Sequence, residues 1–373
     1  VIHRLLLASA LALALTAGAQ AAPTGSRPTD LSTLARDVDR AESVRGVKDL
    51  QRTYAQYVQF GLWREAAGLF ARDGVADFGE GGEVHGRAAL AKTLAETSGK
   101  EGLKSGQFNT QLIEEPLTNL GPDGEHAQGR WYGFQLLADG KGAASIVGGL
   151  YENDYVREDG RWKIAALRFH PQYAGPYETG WTNWKGQPLG FVPYHFTSDE
   201  SGKPDLGAGG PAPASKGAPA ALAARVQALV DAQQVRNLQN AYGYYVDRRM
   251  WDDVTDLFAK DGAVEVSGIG VYTGKAGVRR AMERMGPQNL SHGILNSHLM
   301  MDTVITVSPG GREAFARGIE LGMIADGDKD TSRWDVTVFR NRYVKQGGLW
   351  KLREVRLYPH IRADYALGWA KSH

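Results

Sequence analysis

Two apolar stripes at helical spacing recur along the chain. Val47, Leu50, Tyr54 and Tyr57 fall at intervals of 3, 4 and 3, and so do Val235, Leu238, Tyr242 and Tyr245. That period sets each group on one face of an amphipathic helix. Behind each stripe a second helix is predicted, carrying Trp63 and Phe70 in one case and Trp251 and Phe258 in the other, with "ARDG" and "AKDG" breaking it as turns. A short strand then leads to a third helix after "HGR" or "TGK". From there the pattern becomes alternation, as in "RWDVTVFRNRYV", punctuated by tight turns at "GPDG", "SPGG", "REDGR" and "KQGGL". Helices first and strands after predict an α+β domain, in each copy, with helices covering one face of a curved antiparallel sheet.

The two copies are a repeat in sequence as well as in pattern. "YYVDRRMWDDVTDLFAKDGAVEV", starting at Tyr244, repeats "QYVQFGLWREAAGLFARDGVADF", starting at Gln56, with the Tyr-Val pair, the Trp, the Leu-Phe and the Asp-Gly kept. Between them "SGKPDLGAGGPAPASKGAPA" has sixteen of twenty residues as Gly, Pro, Ala or Ser. Such a segment buries too little apolar surface to order itself, so residues 201–220 are expected to be a linker between domains at 38–200 and 221–373. One difference stands out within the repeat: Asp247 occupies the place of Gln59.

Composition narrows the partners. The chain opens with a short basic start, a thirteen-residue mostly apolar run from Leu5 to Ala17, and small residues at Ala19 and Ala21. This reads as a secretory signal over residues 1–21, too short for the roughly 20 apolar residues of a membrane anchor, and so as a periplasmic or secreted protein. Cysteine is absent, which leaves stability to packed cores. Lys+Arg 43 against Asp+Glu 42 offers no basic field for nucleic acid or anionic lipid, so the expected partners are small molecules, a small-molecule substrate first, or protein. "GIGVYTGK" misses the dinucleotide spacing, and no nucleophile elbow is present.

The ordered series "YGYYVDRRMWDDVTDLFAKDGAVEV", "TGKAGVRRAM", "SHGILNSHLMMDTVITV" and "RNRYVKQGGLWKLREVRLYPHIR" resembles the SnoaL-like branch of the NTF2-like superfamily, to which scytalone dehydratase and bile-acid dehydratases belong. The resemblance implies two tandem NTF2-like cone domains, each a curved mixed or antiparallel sheet wrapped on three helices with a pocket at its open end. It also implies an internal pseudo-dimer of the two domains through their sheets, with further homo-oligomers left open.

In that family's dehydratases a Tyr on the first helix, an Asp at the helix end just before the Trp, and a His at a strand start surround the substrate. The second copy matches with Tyr242, Asp247 and His292 of "SHGILN"; the first offers Tyr54, Gln59 and, by alignment of "FNTQL" with "LNSHL", Ser105. Plainer roles stand beside these. Tyr242 lies on the apolar stripe and suits core packing equally, Asp247 could pair with Arg248 or Arg249, and His292 could be a solvated loop residue. Helical geometry sets Tyr242 and Asp247 about 140° apart, so only a curved pocket joins them. His298 competes with His292. Six residues of strand separate these two imidazoles by about 20 Å, too far to share a metal, and no metal or cofactor is expected.

Tyr245, Trp251, Asn296, His298, Arg317, Trp334, Tyr358 and His360 are the candidates for the substrate-binding wall, although aromatics at such spacing also build cores. Glu320 shares a strand with Arg317 where family members place an extra polar residue. Scytalone dehydratase has a second His there, and this chain has none. The expected function is an exported, cofactor-independent lyase acting on a small apolar aromatic or polycyclic substrate. In it His292 takes a proton, Asp247 strengthens it and Tyr242 donates to the leaving group or oxyanion. A non-catalytic periplasmic binding or assembly protein is the alternative, and an isomerase or hydrolase of the same superfamily is the third.

Overall fold

The computed structural model describes residues 31–79, 82–98, 102–187 and 218–371. The signal segment 1–21 lies outside the described residues, as does most of the expected linker; its last two residues, Pro219 and Ala220, instead open a helix. No helix among the described residues is long and apolar enough to cross a membrane.

Each unit begins with a long helix, α1 (Leu31–Gln59) and α4 (Pro219–Asp247), the latter with Pro in its first turn, where a missing N–H costs nothing. Short helices follow at α2 (Trp63–Gly68) and α5 (Trp251–Leu257), then α3 (Arg87–Ser98) and α6 (Gly274–Glu283). The first unit's strands are β1 (Phe70–Asp77), β2 (Val84–His85), β3 (Gln107–Leu120), β4 (His126–Asp139), β5 (Ala144–Glu158), β6 (Arg161–Pro176) and β7 (Thr182–Asn183). The second unit's are β8 (Phe258–Val266), β9 (Gly270–Thr273), β10 (Ile294–Val307), β11 (Glu313–Asp326), β12 (Thr331–Gln346) and β13 (Leu349–Asp364).

The sheets run β2-β1-β6-β5-β4-β3, with β7 beside β6, and β10-β11-β12-β13-β8-β9. Both are mixed, because β1 joins β6 and β8 joins β13 in parallel while the other pairs are antiparallel. "ARDG" and "AKDG" are not turns. They lie inside β1 and β8 as bulges, with the register shifting between Phe70 and Val75 and between Leu352 and Glu354. Glycine suits that spot, since a Cβ on Gly74 would crowd the carbonyl oxygens of Ala71 and Ile164 at 3.0 Å. Phe70 and Phe258 accordingly start strands rather than end helices.

The stripes read from the sequence are the helix faces that fill each cone. Val47, Tyr54 and Val58 pack with Trp63, Phe70 and Trp131 in the first unit, and Val235, Tyr242 and Val246 with Trp251, Phe258 and Phe339 in the second. One polar device repeats inside both. Gln51 Oε1 accepts from Asn153 Nδ2 (3.0 Å) and from the Tyr155 hydroxyl (2.9 Å). Gln239 Oε1 accepts from Asn341 Nδ2 (2.8 Å) and from the Tyr343 hydroxyl. Each locks the long helix onto the sheet where an unpaired amide would be costly.

The outer faces of the two sheets meet. Phe108, Leu112, Leu136 and Ile146 of the first form one buried cluster with Ile319, Leu321, Val336 and Trp369 of the second. Polar contacts flank it. Trp369 Nε1 donates to the Leu137 carbonyl (2.8 Å), Trp334 Nε1 to the Tyr177 hydroxyl (3.0 Å), and Arg225 pairs with Glu42. Bulges in β3 and β10 bring Glu115 and Asp302 to positive φ (54° and 49°) at this junction, where the backbone N–H of Asp302 donates to Glu114.

Candidate active site

Asp247 is the last residue of α4, where the helix lies against the edge strand β10. Asn296 fixes that contact by donating from Nδ2 to the Val246 carbonyl (2.9 Å). Two residues along the strand, and so on the same face, His298 meets the carboxylate. Its backbone N–H donates to Asp247 Oδ1 (2.6 Å), and its Nδ1 lies 3.6 Å from the same oxygen. The His298 side chain is 6 % exposed and Nδ1 has no hydrogen-bond partner, so Asp247 is its nearest anion but at ion-pair rather than hydrogen-bond distance. By the geometry of the ring, Nε2 is then the nitrogen turned away from the carboxylate.

More carboxylates lie behind. Glu320 on β11 and Asp335 on β12 are buried on the inward face of the sheet. Asp335 is held by Arg333 (3.1 Å), and Gly322 makes room for it, since a Cβ there would meet Asp335 Cβ at 2.9 Å. Burial alone would pull the His298 imidazole down. Asp247 beside it and the charges of Glu320 and Asp335 outweigh that, and its pKa stands above the ordinary value. Burial raises Glu320, with His298 acting against the rise. Both groups are therefore displaced toward their protonated forms.

Asp247 and His298 line a cavity of about 450 Å³ between α4 and β10, together with Arg236, Asn240 and Tyr244. The first unit closes its far side with Arg52, Glu114 and Glu115. The site is thus built at the junction of the two units.

Several predicted site residues are elsewhere. His292 is exposed in the turn before β10, like its counterpart Ser105 before β3, so the imidazole at Asp247 is His298 and not His292. Tyr242 is 2 % exposed and packs edge-on to Phe258, its hydroxyl kept protonated by burial and then by the charge of Glu320. Tyr245 packs beside the same core, and Trp251 is wholly buried with Nε1 donating to the Gly286 carbonyl (3.0 Å). These three are core residues rather than pocket wall. Arg317 crosses to the first unit, donating to Thr53 Oγ1 (2.9 Å) and lying over the Tyr57 ring. Trp334 belongs to the seam between sheets, and His360 packs on Phe60 and Phe108 of the first unit. Tyr358 lies under Arg340. Strand alternation explains the miss: Arg317, Trp334 and Tyr358 point to the face opposite Glu320 and Asp335.

The first unit has neutral residues throughout the equivalent space. The helix repeat sets Gln59 at the place of Asp247, and "FNTQL" against "LNSHL" sets Gln111 at that of His298. Strand register sets Gly133, opposite Gly149, where Glu320 faces Thr337, and Val147, opposite Gln135, where Asp335 faces Gly322. Gln59 is fully buried with neither amide atom bonded, while Gln111 accepts from the Tyr151 hydroxyl (3.3 Å). The alignment already quoted from the sequence thus held a stronger signal than His292: an Asp-to-Gln and a His-to-Gln change paired in space.

Among solved structures the chain is similar to an NTF2-like protein with a cystatin-like fold from Novosphingobium aromaticivorans. That match has 19% identity, covers 39% of this chain and 92% of that one, and has a TM-score of 0.33. It is also similar to hexachlorocyclohexane dehydrochlorinase LinA-type3 from Novosphingobium barchaimii, with 18% identity, 37% and 92% coverage and a TM-score of 0.32. Each such match spans about one unit. Among curated proteins none matches the chain. The SnoaL-like domain pattern matches twice, over residues 39–168 and 227–356, so the chain belongs to the SnoaL-like domain family and carries two tandem copies of its fold.

Proposed function

We propose that the protein is an exported, cofactor-independent lyase that eliminates water or a comparable leaving group from a small, largely apolar aromatic or polycyclic substrate. The observation that carries this reading is the Asp247 carboxylate set beside the buried Nδ1 of His298, in one unit only. Nε2 of His298 removes a proton from carbon next to an activating carbonyl or phenol. The electron pair forms the double bond as the carbon–oxygen bond breaks. Asp247 stabilises the imidazolium, which then gives its proton to the departing oxygen so that hydroxide leaves as water. Family membership supports elimination chemistry without choosing the substrate, because this fold hosts several activities. The N-terminal pattern supports export.

The test is to incubate the protein with hydroxylated steroids and lignin-type aromatics and follow loss of water by mass spectrometry. Turnover that vanishes in His298→Ala and Asp247→Asn supports the reading; turnover unchanged in folded His298→Ala ends it. The base form of His298 appears only above its raised pKa. The acid limb of kcat/KM should therefore lie above the ordinary imidazole value of about 6.5.

A further inference from the structure

A second cavity, of about 370 Å³, opens where α1 and α4 run side by side. Its charge is one-sided: Arg45, Lys48 and Arg52 come from the first unit and Arg236 from the second, against the single carboxylate of Asp49. "VKDLQ" and "VRNLQ" put Lys48 and Arg236 at the same position of the two helices, so the repeat itself brings like charges together across the seam. Arg52 is 9 % exposed; its Nη2 lies 3.4 Å from Glu114, and its Nε is buried with no partner. Arg236 Nη2 donates to the Thr303 carbonyl at 3.3 Å. Asp49 also has a buried oxygen without a partner, although Arg45 lies 3.5 Å from its other one. The remaining wall is apolar, from Val44, Pro116, Leu229, Ala232 and Ile305. Arg52 and Arg236 line both this cavity and the one that holds Asp247 and His298, and so stand as a partition between them.

A buried guanidinium with an unused N–H beside a second guanidinium is a poor arrangement for an empty crevice and a good one for a carboxylate, whose two oxygens match the fork of an arginine. We propose that the seam between the units binds a small apolar carboxylate, its acid group on Arg52 and Arg236 and its hydrocarbon body against Val44, Leu229, Ala232 and Ile305. The volume lies within the range of small-molecule pockets. Binding there does not require turnover at His298, although Arg52 and Arg236 are shared with that cavity. A ligand there touches both units and stabilises their association, since it binds only the folded pair.

Isothermal titration and thermal unfolding of the full chain with 3-phenylpropanoate, its primary amide, and inorganic phosphate test this. The carboxylate should bind and raise Tm, while the amide and phosphate should do neither. Arg236→Gln should weaken the carboxylate about ten- to hundredfold, as expected for loss of a charged hydrogen bond. Ala232→Phe, which fills the cavity and spares the charges, should abolish binding and provides a second route should Arg236→Gln not fold. Equal binding of the amide, binding of phosphate as tight as that of the carboxylate, or full affinity in folded Ala232→Phe would each overturn the proposal.

Discussion

The two units share a frame and differ in their interiors. Gln51, Asn153 and Tyr155 in one, and Gln239, Asn341 and Tyr343 in the other, make the same buried knot between long helix and sheet. Elsewhere in the same interiors, Asp247, His298, Glu320 and Asp335 of the second unit have Gln59, Gln111, Gly133 and Val147 of the first as their counterparts. What the fold requires is thus kept in both copies, and what can move a proton is kept in one. The repeat supplies its own control: a polar group present in both copies serves the architecture, whereas an ionisable group present in one needs another explanation.

The sharpest break of this comparison is at the pair itself. His298→Ala and Asp247→Asn should each lower kcat by about 10² to 10⁴, and the double variant should lose little more than the worse single one. The reciprocal change, Gln59→Asp with Gln111→His, should give the first unit no turnover, because Gly133 and Val147 leave the new imidazole without the inner carboxylates that, after Asp247, help hold His298 above its ordinary pKa. Activity in that variant, measured in a His298→Ala background, would show that the dyad alone suffices.

The frame should behave in the opposite way, with stability rather than turnover lost in both units. Gln239→Ala takes the acceptor from a buried amide and a buried phenol, at about 1 to 3 kcal/mol for each unsatisfied group, whereas after Gln51→Ala the Tyr155 hydroxyl still accepts from Asn153 Nδ2 (3.2 Å) and Trp131 Nε1 (2.9 Å), so the loss there should be smaller. Urea unfolding should show the larger loss for Gln239→Ala, and equal losses would mean that Trp131 and Asn153 do not hold the Tyr155 hydroxyl once Gln51 is gone.

Much of this was legible in the chain and some was not. The 3.6-residue stripes located both long helices, and the turn signals at "GPDG", "SPGG", "REDGR" and "KQGGL" located the hairpins, because these are local devices. The bulges at Gly74 and Gly262 read as turns, since an Asp-Gly inside a strand and one between elements look alike in sequence. The pairing of Asp247 with His298 rather than His292 depends on where α4 crosses β10, and crossing points are not local. For the same reason Asp335 was missed: the faces of β12 are assigned only once its register with Gly322 is known.

Between the units the comparison predicts a pH dependence. Asp302 is completely buried against the first unit, accepting from the Ile113 N–H (3.2 Å), and burial followed by the charge of Glu114 raises its pKa well above the ordinary value. From the unfolded value of about 3.9 up to the raised folded one, the native chain binds more protons than the unfolded chain, so this contribution to stability is full at low pH and is lost as pH rises. Glu320 and His298 are also raised and act in the same direction. Asp302→Asn removes one titrating group and tolerates the positive φ of 49°, which suits Asn. Unfolding free energies at about pH 5, 7 and 9 should fall less steeply in the variant than in the parent. An unchanged slope would show that Asp302 is not the group responsible.

The smallest expected effect decides between the two histidines. His292 and Ser105 occupy corresponding exposed turns before β10 and β3. Surface changes of this kind usually alter stability by no more than about 0.5 kcal/mol, so His292→Ala and Ser105→Ala should both keep near-parental turnover and unfolding midpoint. This near-zero result carries information because His292 is the imidazole that the sequence alone favoured. If His292→Ala were to lose activity by the factor assigned to His298→Ala, the turn would have to fold over the cavity during turnover, and the Asp247–His298 contact would then serve only to seat the helix on the strand. Measuring both alanine variants on one substrate, with circular dichroism to confirm folding, separates these arrangements by which histidine sets the acid limb of kcat/KM.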